Sequence, residues 1–237
     1  MNDTGFGLTN DELKLFQSLG SSANIQDYLN RIPFTEDELN LFRSLHTPAL
    51  VQDFINKIPI NFVEDGKDTC LSPRMVLRQN KCHCIEGTIL AALILRINGH
   101  PPLLVDLTAN EKDFDHVICV FQIDGMWGAI SKTNHGTLRY REPVYLSIRE
   151  LAMSYFHEYI NDSGEKTLLS YSQPVDLTIF DDQNWMTSQE ELWPIAIHLV
   201  KVEHFSLITK EQIASLRKAD QIEIDIGKMT EWQSLTP

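Results

Sequence analysis

The run from Cys84 to Ile97 constrains the fold more than any other stretch of the chain. Ile85, Ile89, Leu90, Ala91, Ala92, Leu93, Ile94, Leu95 and Ile97 carry it, and it stops at Asn98-Gly99. It is too short to span a bilayer. An apolar run of this length is a helix buried in a globular core, with Gly99 as its stop signal. The polar segment Gln79-Asn80-Lys81 precedes it, so Cys84 falls at the helix start rather than in mid-run. Unsatisfied N–H groups and the positive end of the helix dipole favour thiolate over thiol there. A cysteine in mid-run would instead be an inert small hydrophobe.

The chain has 237 residues, of which 43% are hydrophobic, enough for one large or two small domains with a substantial core. Its net charge is −13. Lys and Arg form no cluster, which argues against nucleic acid and against an anionic membrane surface as partners. A peptide or protein substrate, basic ones included, is compatible with this balance, and nothing in it fixes an oligomeric state. Met1 to Gly5 lacks the basic and apolar parts of a secretory signal. Cys70, Cys82, Cys84 and Cys119 are expected to be reduced thiols in a cytoplasmic setting.

The first sixty residues contain a repeat. Leu8 to Phe34 reads LTNDELKLFQSLGSSANIQDYLNRIPF, and Phe34 to Ile60 reads FTEDELNLFRSLHTPALVQDFINKIPI. At an offset of 26, 14 of 27 positions are identical. Each copy opens with a capping box, Thr9 with Glu12 and Thr35 with Glu38, and continues with helical apolar spacing. Each is expected to be a pair of short helices. Residues 1–46 are expected to form a helical extension, 47–165 the core domain, and 166–237 a mixed α/β region packed on it.

Ser72-Pro73 to Leu77 predicts a short helix, and Pro102 to Leu107 a strand. His116 to Ile123 and Met126 to Ser131 predict a hairpin about Asp124-Gly125, a strong two-residue turn signal. Ser147 with Glu150 opens a helix through Phe156. Farther on, a strand at 175–180, a helix from about Thr187, a β-like run at 195–202 and a helix at 209–218 are expected. The order of elements points to an α+β fold.

A Cys at a helix start and a His on a later strand form the skeleton of a thiol–imidazole pair. Within the hairpin, a turn at Asp124-Gly125 makes opposed residue numbers sum to 249. Thr133 then lies opposite His116, Ser131 is a neighbour on the same face, and Asn134 points away. A partner that orients the imidazole must share its face, so Ser131 or Thr133 fits better than Asn134. Cys82, Cys84, His116 and Cys119 also spell a zinc-like pattern, but His116 and Cys119 point to opposite faces of a strand. His83 is adjacent to Cys84, and neighbours on a helix start diverge. Phe156-His157-Glu158-Tyr159 lacks the second His of a zinc-protease helix and reads as a helix face. Glu86 reads as compensation of the helix dipole.

The stretches KCHCIEGTILAALILRINGHPPLLVDL and DHVICVFQIDGMWGAISKTNH resemble the transglutaminase-like superfamily, with its papain-like arrangement of a Cys at the start of a central helix packed on an antiparallel sheet. The resemblance covers roughly residues 53 to 159 and extends to uncharacterised bacterial members. It implies Cys84 as nucleophile and His116 as base. The position of the family's Asp falls on Ser131, a hydroxyl that orients the ring without a charge. The expected activity is thiol-dependent acyl transfer or amide hydrolysis, with the Cys84 N–H and a donor such as Gln79 holding the oxyanion. No metal or organic cofactor is required. A non-catalytic interaction module on the same fold is the alternative.

Overall fold

A computed structural model describes residues 34–62 and 67–232 of the chain. Residues 8–33 of the first repeat copy lie outside the described residues. The second folds as the paired helices α1 (Glu36–Ser44) and α2 (Pro48–Asn56). Thr35 and Glu38 complete the capping box of α1, and Thr47 caps α2 ahead of Pro48. α3 (Pro73–Gln79) follows, capped by Ser72 and ended by Asn80 in the left-handed conformation. α4 (Cys84–Ile97) begins at the cysteine, and from Ile85 to Arg96 every residue is buried.

The strands are β1 (Leu103–Ala109), β2 (His116–Ile123), β3 (Met126–Ser131), β4 (Arg141–Tyr145), β5 (Leu168–Ser172), β6 (Val175–Asp176) and β7 (His204–Ser206). They form one seven-stranded sheet in the order β4-β3-β2-β1-β5-β7. Every strand pair is antiparallel. β6 extends the β5 side of β1, pairing Leu104 with Val175 where β5 pairs Leu107 with Tyr171. The sheet therefore runs through both the 47–165 and the 166–237 stretches. The fold is α+β.

Alternation along the strands sends side chains to two cores. One face, with Leu104, Val117, Cys119, Phe121 and Ile130, packs on α4 together with Phe42 of α1 and Val51 and Ile55 of α2. The other face, with Leu103, Val105, Ile118, Val120, Trp127 and Ala129, packs on Ile148, Leu151 and Ala152 of α5 (Ile148–Met153). The hairpin turn holds Asp124 at φ 51° and Gly125 at φ 79°, both left-handed as a type I′ turn requires. Register follows the sum of 249 throughout, from Ile123↔Met126 to Ile118↔Ser131.

The C-terminal third differs from expectation. The strand expected over 175–180 stops at Asp176 and passes into a 3-10 helix, Leu177–Gln183. The β-like run 195–202 is helical: α6 spans Trp193–Lys201 and begins at Trp193 rather than near Thr187. Pro194 suits a first helical turn, and burial of Ile195 and Leu199, four residues apart, overrides the β propensity of the run. The helix opened by Ser147 ends at Met153, so His157 and Glu158 lie in turns and not on a helix face. α7 (Lys210–Ser215) and α8 (Gln221–Gly227) complete the described chain. Among the described residues no helix is long and apolar enough to cross a membrane.

Candidate active site

Cys84 is the first residue of α4 and is partly exposed, whereas Cys70, Cys82 and Cys119 are buried. The imidazole of His116, the first residue of β2, faces the thiol and lines the same cleft, close enough to act on its titration. The His116 Nε2 lies 2.7 Å from the Ser131 Oγ. That hydroxyl donates its only proton to the Leu138 carbonyl at 2.5 Å. A hydroxyl with its proton committed can only accept, so Nε2 carries a hydrogen and Nδ1 is the nitrogen left for the thiol. Leu138 sits at φ 58°, a left-handed conformation costing a branched residue roughly 1–2 kcal/mol. Glu158 holds it there by accepting its N–H at 2.8 Å, and Glu158 is in turn paired with Arg141 at 2.7 Å.

The end of β3 is fixed from outside the sheet. The last pair between β3 and β4 is Ala129↔Arg141, which leaves the outer edge of Ser131 to another partner. Gln52 of α2 fills it: Nε2 donates to the Ser131 carbonyl at 2.8 Å, and Oε1 accepts the Ser131 N–H at 2.9 Å. The next residue, Lys132, is 1% exposed and donates to the carbonyls of Ile55 and Ile58 at the end of α2. Gly87 makes room for it, since a Cβ at that position would lie 2.6 Å from the Lys132 Cβ.

A second imidazole reaches the thiol. The side chains of adjacent helical residues would diverge, but His83 is the N-cap, with an extended backbone at φ −98° and ψ −168°. Its ring lines the cleft beside Cys84, and each group acts on the titration of the other. Its Nε2 lies 2.7 Å from the Thr69 carbonyl, 3.4 Å from Asp68 and 3.5 Å from Glu86. Glu86 does more than offset a dipole. It is fully buried and accepts from Asn61 Nδ2, from Thr69 Oγ1 at 2.6 Å, and from the backbone N–H groups of Leu71 and His83, each at 2.9 Å.

The four thiols divide sharply. Burial pushes Cys70 and Cys82 up to about 12, and pushes Cys119 up as well. Burial also acts to raise Cys84, but hydrogen bonds from His116 and His83 and the charges of the two rings outweigh it, bringing Cys84 down to about 5. His83 moves the other way. Burial acts to lower it, and its hydrogen bond to Cys84 with the charge of Glu86 prevails, raising it to about 9.

Cys84, His83, His116 and Leu138 line a cleft of about 700 Å³. One wall is the loop carrying Asp113, Asp115 and the 88% exposed Phe114; another is α8, through Ile224 and Gly227. Thr133 lines the cleft as well, and its hydroxyl accepts the His135 N–H. Asn134 is not at the imidazole. Its side-chain amide donates to the Trp232 carbonyl and accepts the Trp232 N–H, each at 2.8 Å, which binds the C-terminal segment to the cleft rim.

Gln79 is not brought to the thiol. It ends α3 exposed and does not line the cleft, because Asn80 turns the chain and Cys82 then enters the core. Cys119 packs in the α4-side core, on the strand face opposite to that of Ile118. No group of three or more His, Cys, Asp or Glu among the described residues is arranged to hold a metal. Gln52, Leu138 and Glu158 escaped sequence reasoning. Only Gln52 left a trace, since Gln26 stands at the matching place in the first repeat copy. No family model matches the chain, and no curated protein matches it.

Proposed function

We propose that the chain is a thiol-dependent acyl-transfer enzyme with a transglutaminase-like core, acting on an amide or ester carbonyl. The observation that carries this is a helix-start thiol paired with an imidazole whose far nitrogen is fixed by Ser131, on the wall of a cleft. His116 takes the Cys84 proton, and the thiolate attacks the carbonyl carbon. The S–C bond forms and the carbonyl π pair moves to oxygen. The Cys84 N–H, free of an intrahelical acceptor in the first turn, is the donor available to that oxygen. As the oxyanion collapses, the bond to the leaving amine or alcohol breaks, and His116 returns its proton to that group. Water or an amine then gives its proton to His116 and displaces the acyl group from sulfur.

The test is incubation with p-nitrophenyl acetate. The expected result is a burst of nitrophenolate stoichiometric with protein and an acetyl group on Cys84 by peptide mass mapping. Cys84→Ser and His116→Ala should both abolish the burst. An intact but unacylated protein whose Cys84 alkylates no faster than an ordinary thiol would leave the interaction module as the better account.

A further inference from the structure

Four ionisable groups converge at the start of α4: Cys84, His116, His83 and Glu86. Glu86 is fully buried, and its donors Asn61, Thr69, the Leu71 N–H and the His83 N–H are all neutral. A buried carboxylate without a counter-charge is costly. Among the described residues, His83, with Nε2 at 3.5 Å, is the cation in reach of it. The His83 Nε2 also points its hydrogen at the Thr69 carbonyl, 2.7 Å away, so the ring's other nitrogen is the one left for the thiol of Cys84. If that nitrogen donates, both nitrogens carry hydrogen and the ring is an imidazolium.

We infer that His83 is a second catalytic imidazole: held as a cation by the buried Glu86, it is the standing charge partner of the Cys84 thiolate, in a Glu86–His83–Cys84 chain that meets the His116–Ser131 pair at the sulfur. Its catalytic meaning rests on the acyl-transfer proposal. With the thiol proton on His116, the charges of these four groups cancel, thiolate and buried carboxylate against two imidazolium rings; the exposed Asp68, 3.4 Å from the His83 Nε2, is a further anion screened by solvent. This gives the neutral Ser131 a physical reason. A carboxylate at that position would leave the cluster one negative charge in excess, whereas a hydroxyl positions His116 and leaves the balance to Glu86. During acylation His116 delivers the proton to the leaving group. His83 keeps its own, because losing it would leave Glu86 unpaired. Glu86 is a positioning residue, since it acts on sulfur only through His83.

The charged and titratable groups facing this chain are Asp68 around His83, Cys70 and Cys82 around Glu86, and His116, Cys82 and Tyr159 around Cys84. Iodoacetamide alkylation of Cys84 against pH separates their contributions in the full chain. His83→Gln, at a partly exposed helix cap, is the decisive variant. Its apparent thiol pKa should rise by at least one unit, a loss of roughly tenfold or more in alkylation rate at mildly acidic pH. His116→Gln should abolish acylation by p-nitrophenyl acetate while keeping an apparent thiol pKa well below the ordinary range. Glu86→Gln should shift the profile in the direction of His83→Gln and add nothing in the His83→Gln background. A His83→Gln profile superposing on that of the parent protein overturns the inference, whether or not Glu86→Gln folds. A profile that collapses in His83→Gln, in a protein that never forms an acyl adduct, sustains the charge pair and removes the acyl-transfer proposal.

Discussion

Gln52 holds Ser131 by both atoms of its amide, donating to its carbonyl at 2.8 Å and accepting its N–H at 2.9 Å. A helix side chain thus stands in for a sheet strand, and it does so at the residue that positions His116. Gln52→Ala leaves a buried donor and a buried acceptor without their partner. The expected loss is roughly 2–4 kcal/mol, seen as a lower urea midpoint at unchanged slope. Alkylation of Cys84 should slow in the same variant at mildly acidic pH, since Ser131 is no longer held. An unchanged midpoint would show that water replaces the amide without loss.

Gly87→Ala tests the close approach of α4 to β3. Alanine improves helix propensity by about 1 kcal/mol. Its Cβ, however, would lie 2.6 Å from Cβ and 2.8 Å from Cγ of Lys132, whose own ammonium is tied to α2. Overpacking of this kind costs about 1–3 kcal/mol, so the net change should be destabilising. A thermal melt at or above that of the parent would mean that Lys132 shifts freely.

Ser131→Ala and Asn134→Ala test the separate roles of the residue beside His116 and the residue that holds Trp232. Ser131→Ala removes the acceptor of the His116 Nε2–H and the donor to Leu138. Acylation of Cys84 by p-nitrophenyl acetate should fall at least tenfold as the ring loses its fixed orientation. Asn134→Ala releases Trp232 instead. It should hasten proteolysis of the C-terminal segment and leave the acylation rate unchanged. The reverse pattern would move the orienting role to Asn134.

The pH dependence of stability follows from two opposed shifts. Cys84 lies at about 5 against an ordinary 9.0, so its contribution is complete above pH 9 and is lost as pH falls towards 5. His83 lies at about 9 against an ordinary 6.5, so its contribution is complete below pH 6.5 and is lost as pH rises through 9. The two groups titrate as a pair. The melting-temperature difference between the parent protein and Cys84→Ala should therefore be largest between these limits and shrink on both the acid and the alkaline side. A flat difference across that range would mean that no thiolate–imidazolium pair forms.

Removing residues 1–33 should leave Cys84 alkylation and its pH profile unchanged. Among the described residues, the second repeat copy is anchored to the core through Phe42, Val51, Ile55 and Gln52. A truncated protein that fails to fold, or whose Cys84 loses its reactivity, would show that the first copy contributes to the site.

Local chemistry was legible in the sequence wherever the signal and its consequence lie close along the chain. The Thr35–Glu38 box starts α1, and Asp124-Gly125 fixes a turn with φ of 51° and 79°. Because side chains alternate with a period of two, that turn alone sets the register of the hairpin and puts Ser131 within 2.7 Å of His116. The start of α4 at Cys84 was equally plain from where the polar segment ends. Tertiary structure decided what depends on residues distant in sequence. Glu86 becomes the anion behind His83 only when Asn61, Thr69 and Leu71 surround it. Leu138 serves Ser131 only because Glu158, 20 residues away, holds its left-handed backbone. The run at 195–202 has β-branched residues but a helical environment, and burial of one face outweighed propensity there. Periodicity and turn chemistry record how each residue relates to its chain neighbours. Counter-charges and hydrogen-bond partners come from whichever segments the packed core brings together, and one sequence read along its length carries no record of those encounters.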